Sequence, residues 1–375
     1  MSTLRGEPRS GGRPFRRVDK PWARLKGAGE VLERWQSDGT WRNVTWSHRV
    51  DPHVASFVPT PSALSPAVQR ALQSRGIDTL YSHQARAFEL ASQGKHVVVA
   101  TPTASGKSLC YNLPILQAMA SNPNATALYL FPTKALSRDQ EEALRAFMRD
   151  AELSIGAVTY DGDTPVDARR AARQRAGVLL TNPDMLHAGI MPHHTAWARL
   201  FANLEYIVVD ELHTYRGVFG SHLANVMRRL LRIARFHGSS PTFLFASATI
   251  GNPQSHASRI CGEPVELIDE SGAPTGPRQV LVYNPPIVNA ELGIRQSYVK
   301  TAVRLTRDLV RAGVPTLVFG NSRNGVEVML KYLRDQLARD HVEPSAIHAY
   351  RGGYLPQTRR RIEAALRAGE IRCVV

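Results

Sequence analysis

Cysteine is scarce in this chain, and the three present, Cys110, Cys261 and Cys373, stand far apart without a CxxC pair. Such spacing excludes a disulfide framework and a paired-cysteine zinc site, and it suits a reducing compartment, the cytoplasm. Long apolar runs are missing too. The longest, such as Tyr206–Val209 and Phe243–Ala246, fall far short of the ~20 residues that a membrane-spanning helix requires. No apolar core of a signal peptide stands at the N-terminus, where Arg and Lys mix with Glu7, Asp19, Gly and Pro. Residues 1–20 are expected to form a disordered basic arm. Lysine is rare: of 47 basic residues only seven are Lys, so the chain is strongly Arg-rich. Set against 32 acidic residues, this leaves a net charge of +15. An excess of that size favours partners of dense negative charge, nucleic acid first and an anionic membrane surface second. A GC-rich coding sequence produces the same arginine bias, so composition alone does not decide.

What is present is enough for two ordinary domains: 375 residues, 43% hydrophobic and 21% charged. Residues 21–60 hold four tryptophans, Trp22, Trp35, Trp41 and Trp46, without clear periodicity. They read as a small appendage packed against the next domain around an aromatic core, with stacking on nucleic-acid bases as the other use. From residue 61 to 270 helical stretches alternate with short β-rich runs: helices at Pro66–Ser74 and Ser82–Ser92, strands at His96–Ala100, Ala127–Phe131, Val178–Leu180, Tyr206–Val209 and Thr242–Ala246. That alternation predicts an α/β domain with a parallel sheet covered on both faces. The Gly/Pro-rich stretch 271–277 reads as a linker. Beyond it, 278–375 repeats the pattern with strands at Gln279–Tyr283, Thr316–Phe319, Ala346–Ala349 and Arg372–Val375, and helices at Tyr298–Arg311, Val326–Leu337 and Gln357–Arg367. Val375 falls inside a strand of buried type, so this second domain is expected to be incomplete.

The sharpest local signal is Thr101–Ser108, TPTASGKS, between a strand and a helix. A phosphate chain needs backbone N–H groups in a concave nest at a helix N-terminus, a lysine for the β- and γ-phosphates, and a hydroxyl to hold Mg²⁺. Gly106, Lys107 and Ser108 supply that ending in order, although Thr101 stands where the strict pattern has its first Gly. A second signal, Asp210-Glu211-Leu212-His213, follows the strand ending at Val209. There a first carboxylate, Asp210, can complete an Mg²⁺ shell, and a second, Glu211, can polarise water. The bland alternative is a polar strand end entering a turn.

Six segments in order, YSHQ (81–84), TPTASGKS (101–108), FPTKALSRDQ (131–140), TNPDML (181–186), DELH (210–213) and SATIGNP (247–253), resemble motifs Q, I, Ia, Ib, II and III of superfamily 2 helicases. LVFGNSR (317–323) looks like motif IV, and the stretch from Ala349 to Val375 resembles the approach to motif V. Within that superfamily the pattern resembles the MrfA/YprA group of bacterial DEVH-type helicases, relatives of the fungal Hrq helicases. The resemblance implies a P-loop RecA-like domain followed by an incomplete second RecA-like domain, with ATP and Mg²⁺ as cofactors. It implies that Gln84 reads adenine with Tyr81 nearby, and that Thr103, Ala104, Ser105, Gly106, Lys107 and Ser108 hold the phosphates. Thr133, Lys134, Thr181 and Pro183 would grip a nucleic-acid backbone, joined by Asn321, Arg323 and Gly352 of the second lobe. Ser247 and Thr249, with His213 as their partner, would couple nucleotide state to strand movement.

The implied activity is ATP-dependent travel along single-stranded DNA, or DNA with a single-stranded tail, in the 3′-to-5′ direction, with DNA repair as the family setting. The expected motifs V and VI and a cysteine-rich C-terminal region are not among the 375 residues. Superfamily 2 motors draw an arginine from the second lobe, worth roughly 10³–10⁵ in turnover, so this chain is expected to bind ATP and hydrolyse it poorly. Two other readings stay open: a nucleotide-gated nucleic-acid-binding module without turnover, and an RNA helicase of the DEAD-box type. DELH and SATIGNP count against the second.

Overall fold

A computed structural model describes residues 27–375; the expected basic arm 1–20 and Trp22 lie outside the described residues. The chain divides into two compact units. One is Asp51–Pro277; the other joins the segment ending at Val50 to Arg278–Val375.

The Asp51–Pro277 unit is built on a seven-stranded sheet. Across it the strands run Glu266–Ile268, Val97–Val99, Thr242–Ala246, Leu204–Val209, Thr126–Leu130, Ala176–Thr181 and Gly156–Thr159. Every neighbouring pair is parallel. Val, Leu, Ile and Phe fill these strands because both faces are covered. Successive residues alternate between two cores, Val97 and Val99 with Tyr129 and Leu180 on one side, Val98 with Leu128, Val209 and Phe243 on the other. Two of the strands, Gly156–Thr159 and Glu266–Ile268, are edge strands that the hydrophobic pattern did not announce.

Helix starts follow local chemistry. Ser65 caps Pro66–Gln73 by accepting from the Val68 N–H at 3.4 Å, and Thr133 caps Lys134–Asp150 by accepting from the Leu136 N–H. The Ser82–Ser92 helix is capped from within, Gln84 Oε1 accepting from the Tyr81 N–H at 3.0 Å.

In the second unit, strand Arg278–Tyr283 does not open a new parallel sheet as the alternation suggested. It pairs antiparallel with Val44–Val50. The tryptophan-rich segment therefore is not one appendage on the domain that follows it. The described residues up to Val50 belong with Arg278–Val375, whereas Phe57–Pro59 pairs with Thr79–Tyr81 in the other unit. The physical reason lies in burial and charge. Helix Ala28–Ser37 buries Val31 and Trp35 against Ala312 and Leu309, Trp35 Nε1 donates to Asp308 at 3.0 Å, and Arg34 pairs with the same carboxylate at 2.8 Å. Beside this lies a three-stranded parallel sheet, Thr316–Leu317, Cys373–Val374 and Ile347–His348 in spatial order, packed on helices Tyr298–Arg311 and Arg323–Ala338. Among the described residues no helix is long and apolar enough to cross a membrane.

Trp35→Ala should destabilise the second unit by about 3–5 kcal/mol, the usual cost of removing a buried tryptophan, read as a lower denaturation midpoint. A loss below about 0.5 kcal/mol, the range of exposed substitutions, would contradict this docking.

Candidate nucleotide site

Each signature segment of the Asp51–Pro277 unit that follows a sheet strand emerges at that strand's carboxyl end. This is the edge of an open parallel sheet where ligands collect, because the strand bodies are sealed on both faces. The loop Ala100–Gly106 leaves Val97–Val99, Asp210 leaves Leu204–Val209, and Ser247 leaves the strand between them, Thr242–Ala246.

The loop is shaped by backbone conformations that few residues adopt. Gly106 has φ +78 and Ala104 has φ 64. A Cβ at Gly106 would come within 2.7 Å of Gln84 Nε2, so glycine is required there on two counts. Lys107, the first residue of helix Lys107–Ser121, turns its ammonium back over the loop and donates to the carbonyls of Thr101 at 2.8 Å and Pro102 at 2.9 Å. Burial lowers its pKa, and the charges of Glu211 and Asp210 raise it again. Lysine and both carboxylates therefore share one electrostatic environment. Ser105 is buried, its hydroxyl 2.7 Å from that of Thr101, so of its polar groups the backbone is what remains to line the nest. Thr103 and Ala104 are exposed, and Ser108 is half-buried beside Lys107.

Behind the loop stand two braces. Gln84 is buried and uses one donor on the Gly106 carbonyl at 3.1 Å and one lone pair on the Tyr81 N–H. An amide has two donors and two acceptor sites, so half its capacity is left. His83 lies in the same YSHQ segment as Tyr81 and Gln84, and the resemblance implies no role for it. It holds Ser105 O through Nε2 at 3.0 Å and accepts the Gly272 N–H through Nδ1 at 3.1 Å. That pattern requires the neutral ring, and burial lowers the His83 pKa accordingly. Tyr81 stacks between Phe57 and His83, with ring centroids 5.2 and 5.8 Å away.

Asp210 is held in a fixed rotamer. Its Oδ1 accepts the Glu211 N–H at 2.8 Å and its Oδ2 accepts the Tyr111 hydroxyl at 3.1 Å. Burial pushes its pKa up to about 6, with the Glu211 charge adding to the rise. Tyr111 was not singled out from sequence, though its place one turn after Lys107 on the same helix face was a usable signal. Glu211 adopts φ 52, a left-handed conformation costing about 1–2 kcal/mol for a residue with a side chain. His213 bridges two segments: Nε2 lies 3.3 Å from Glu211 Oε2, and Nδ1 accepts the Ala248 N–H at 3.1 Å. The contact therefore falls on the backbone between Ser247 and Thr249. Ser247 Oγ is buried without a hydrogen-bond partner among the described residues, and Thr249 is exposed.

The residues expected to grip a strand divide. Thr133 and Lys134 sit at the exposed carboxyl end of Thr126–Leu130; the Lys134 ammonium pairs with Asp163 at 2.8 Å and holds that carboxyl below the usual carboxylate range. On the adjacent strand Thr181 is buried and its hydroxyl is spent on the Tyr160 carbonyl at 2.7 Å, and Pro183 is buried as the first residue of a short helix. Any contact there falls to neighbouring backbone. In the other unit Asn321 and Arg323 are exposed at the start of helix Arg323–Ala338, capped by Ser322, and the Arg323 guanidinium lies 3.7 Å from where a Gly352 Cβ would stand.

Residues 81–256 match the family described as DEAD/DEAH box helicase. The chain belongs to the superfamily 2 helicases of the MrfA/YprA/Hrq group. It is 48% identical over 332 residues to the uncharacterized ATP-dependent helicase YprA of Bacillus subtilis, covering 88% of this chain and 44% of that protein. It is 37% identical over 319 residues to the ATP-dependent helicase HRQ1 of Saccharomyces cerevisiae, covering 83% of this chain and 29% of that one. Among solved structures, the DUF1998 helicase MrfA bound to DNA and AMPPNP superimposes with a TM-score of 0.89 at 46% identity, over 93% of this chain and 48% of that one. The chain thus spans less than half the length of these relatives. The α/β fold with its seven-stranded parallel sheet matches the RecA-like helicase domains.

Gly106→Ala and Gly94→Ala test the loop's packing. Both glycines have φ above +70, but only at Gly106 does a Cβ meet a neighbour. Both substitutions should cost about 1–2 kcal/mol of backbone strain, and Gly106→Ala should cost measurably more by chemical denaturation. Equal losses would contradict the close Gln84 contact.

Proposed function

We propose that this chain carries the ATP-binding lobe and part of the second lobe of an ATP-dependent DNA helicase or translocase. The observation that carries the reading is the convergence of Lys107, Asp210 and Glu211 at the carboxyl edge of the sheet, with His213 linking Glu211 to the loop at Ala248. In this reading the γ- and β-phosphate oxygens replace the two loop carbonyls as acceptors for Lys107, and the backbone of Thr103–Ser108 cradles the phosphate chain. Gln84 meets the adenine edge with its remaining donor and acceptor.

The donor set fits Mg²⁺, a hard cation satisfied by one carboxylate, a hydroxyl and phosphate oxygens. Asp210 and Ser108 would hold it there, and it would supply positive charge against the transferring phosphoryl group. Glu211 orients the attacking water, and the hydrogen bond from Ala248 to His213 transmits the change at Glu211 to the 247–249 loop. Thr133 and Lys134, with Asn321, Arg323 and Gly352, take the backbone of a single strand of DNA, moved 3′ to 5′ as in the family. Such contacts are sequence-independent and salt-sensitive. Within residues 1–375 no segment resembles the arginine-bearing sixth motif, so turnover by this chain is weak. The cytoplasm is its proposed place of work.

Single-stranded-DNA-stimulated ATPase activity and binding of a labelled ATP analogue, measured on the chain and on Lys107→Ala, test this. Expected are tight binding that Lys107→Ala weakens at least tenfold and turnover lower by roughly 10³ or more than that of a complete motor. Binding indifferent to Lys107→Ala would overturn the site, and brisk turnover would overturn the claim that the missing arginine limits it.

A further inference from the structure

Apart from the nucleotide site, the Asp51–Pro277 unit has a groove of about 560 Å³ between helices Gly217–Phe236 and Pro253–Cys261. Arg216, Arg228 and Arg259 line it together with Ser221, Asn225 and His256, and no carboxylate does. None of these six stands in the six motif segments that carry the helicase resemblance, although all but Arg259 fall within the 81–256 family match.

The arginines of this groove have no ion-pair partner among the described residues. Arg216 and Arg259 form no ion pair among the described residues, and Arg228 donates only to the neutral Asn225 side chain, at 3.1 Å. The nearby carboxylate of Glu263 is already engaged by Arg235 at 3.3 Å. His256 adds a buried Nε2 without a hydrogen-bond partner among the described residues. The floor is kept open by Gly220, where a Cβ would collide with the Tyr215 carbonyl. Three guanidiniums brought together without an acid cost repulsion that a bound polyanion removes.

Their spread selects the kind of anion. Arg216 and Arg228 lie roughly three turns apart along one helix, about 18 Å of axial rise. Basic residues set out along the groove in this way suit the successive phosphates of an extended strand. We propose that this groove is a second track for the phosphate backbone of single-stranded DNA, additional to the contacts at Thr133 and Lys134. The inference rests on the helicase reading above.

The test is fluorescence anisotropy of a labelled oligodeoxythymidylate across a salt series, with the 375-residue chain and with Arg228→Ala combined with Arg259→Ala. Both side chains are exposed, so the variant keeps its core. Affinity should fall roughly tenfold, and the slope of log K against log salt should become shallower by about 1.4, at about 0.7 per lost contact on single strands. Arg170→Ala with Arg173→Ala removes the same formal charge from the exposed face of helix Val166–Arg175 and should leave the slope in place. Binding of a labelled ATP analogue should be equal in all three proteins. An unchanged slope in Arg228→Ala with Arg259→Ala, or an equal change in the control, overturns the track. So does weakened binding of polyglutamate with DNA binding intact, which would give the groove to an acidic protein. If the unaltered chain binds neither the ATP analogue nor DNA, it is the helicase reading that fails.

Discussion

Sealing a parallel sheet on both faces is the constraint on which the functional arrangement depends. With Val98, Leu128 and Val209 facing one core and Val97, Tyr129 and Leu180 the other, the strand bodies have no room for polar chemistry. Polar groups are displaced to the carboxyl edge, and the parallel register sets their loops side by side. Lys107 and Asp210 lie about a hundred residues apart in sequence and come together because the Thr242–Ala246 strand alone separates their two strands in the sheet. Strain is found there too: Ala104 and Glu211 are two of the four non-glycine residues with positive φ among the described residues.

Buried polar contacts then fix what the sheet has gathered. His83 and Gln84 hold the carbonyls of Ser105 and Gly106, Tyr111 holds Asp210, and His213 ties Glu211 to Ala248. The first of these lies fully inside the protein and the others are part-buried, where such bonds are stronger than in water and costly to leave unmade. Through His213, Glu211 is in contact with the backbone of the 247–249 loop. Ser247 beside it carries a buried hydroxyl without a hydrogen-bond partner among the described residues.

Much of this was legible from residues alone. The strand Thr242–Ala246 and the helices Ser82–Ser92 and Tyr298–Arg311 are as the apolar patterns indicate, because long, strongly periodic segments leave little choice. Edge strands Gly156–Thr159 and Glu266–Ile268 are short and mixed in polarity, so their sequence carries no comparable signal. The pairing of Val44–Val50 with Arg278–Tyr283 joins positions more than 200 residues apart, and both strands are largely exposed, which removes the alternation that marks a half-buried strand. At the site, Lys107 and Asp210 stood out because phosphate chemistry needs those types in that order. His83 and Tyr111 did not, since a buried brace is defined by its partners. Thr181 illustrates the converse: its motif position suggested a strand contact, yet its hydroxyl is consumed within the fold by Tyr160.

Hydrogen exchange of the backbone amides, with and without an ATP analogue and Mg²⁺, reads directly whether these loops form one site. Added nucleotide should slow exchange together in Thr103–Ser108, in Asp210–His213 and, through His213, in Ser247–Thr249, while the strand interiors stay as protected as before. Protection confined to other segments, or confined to Thr103–Ser108 with the 210–213 and 247–249 loops unaffected, would contradict it.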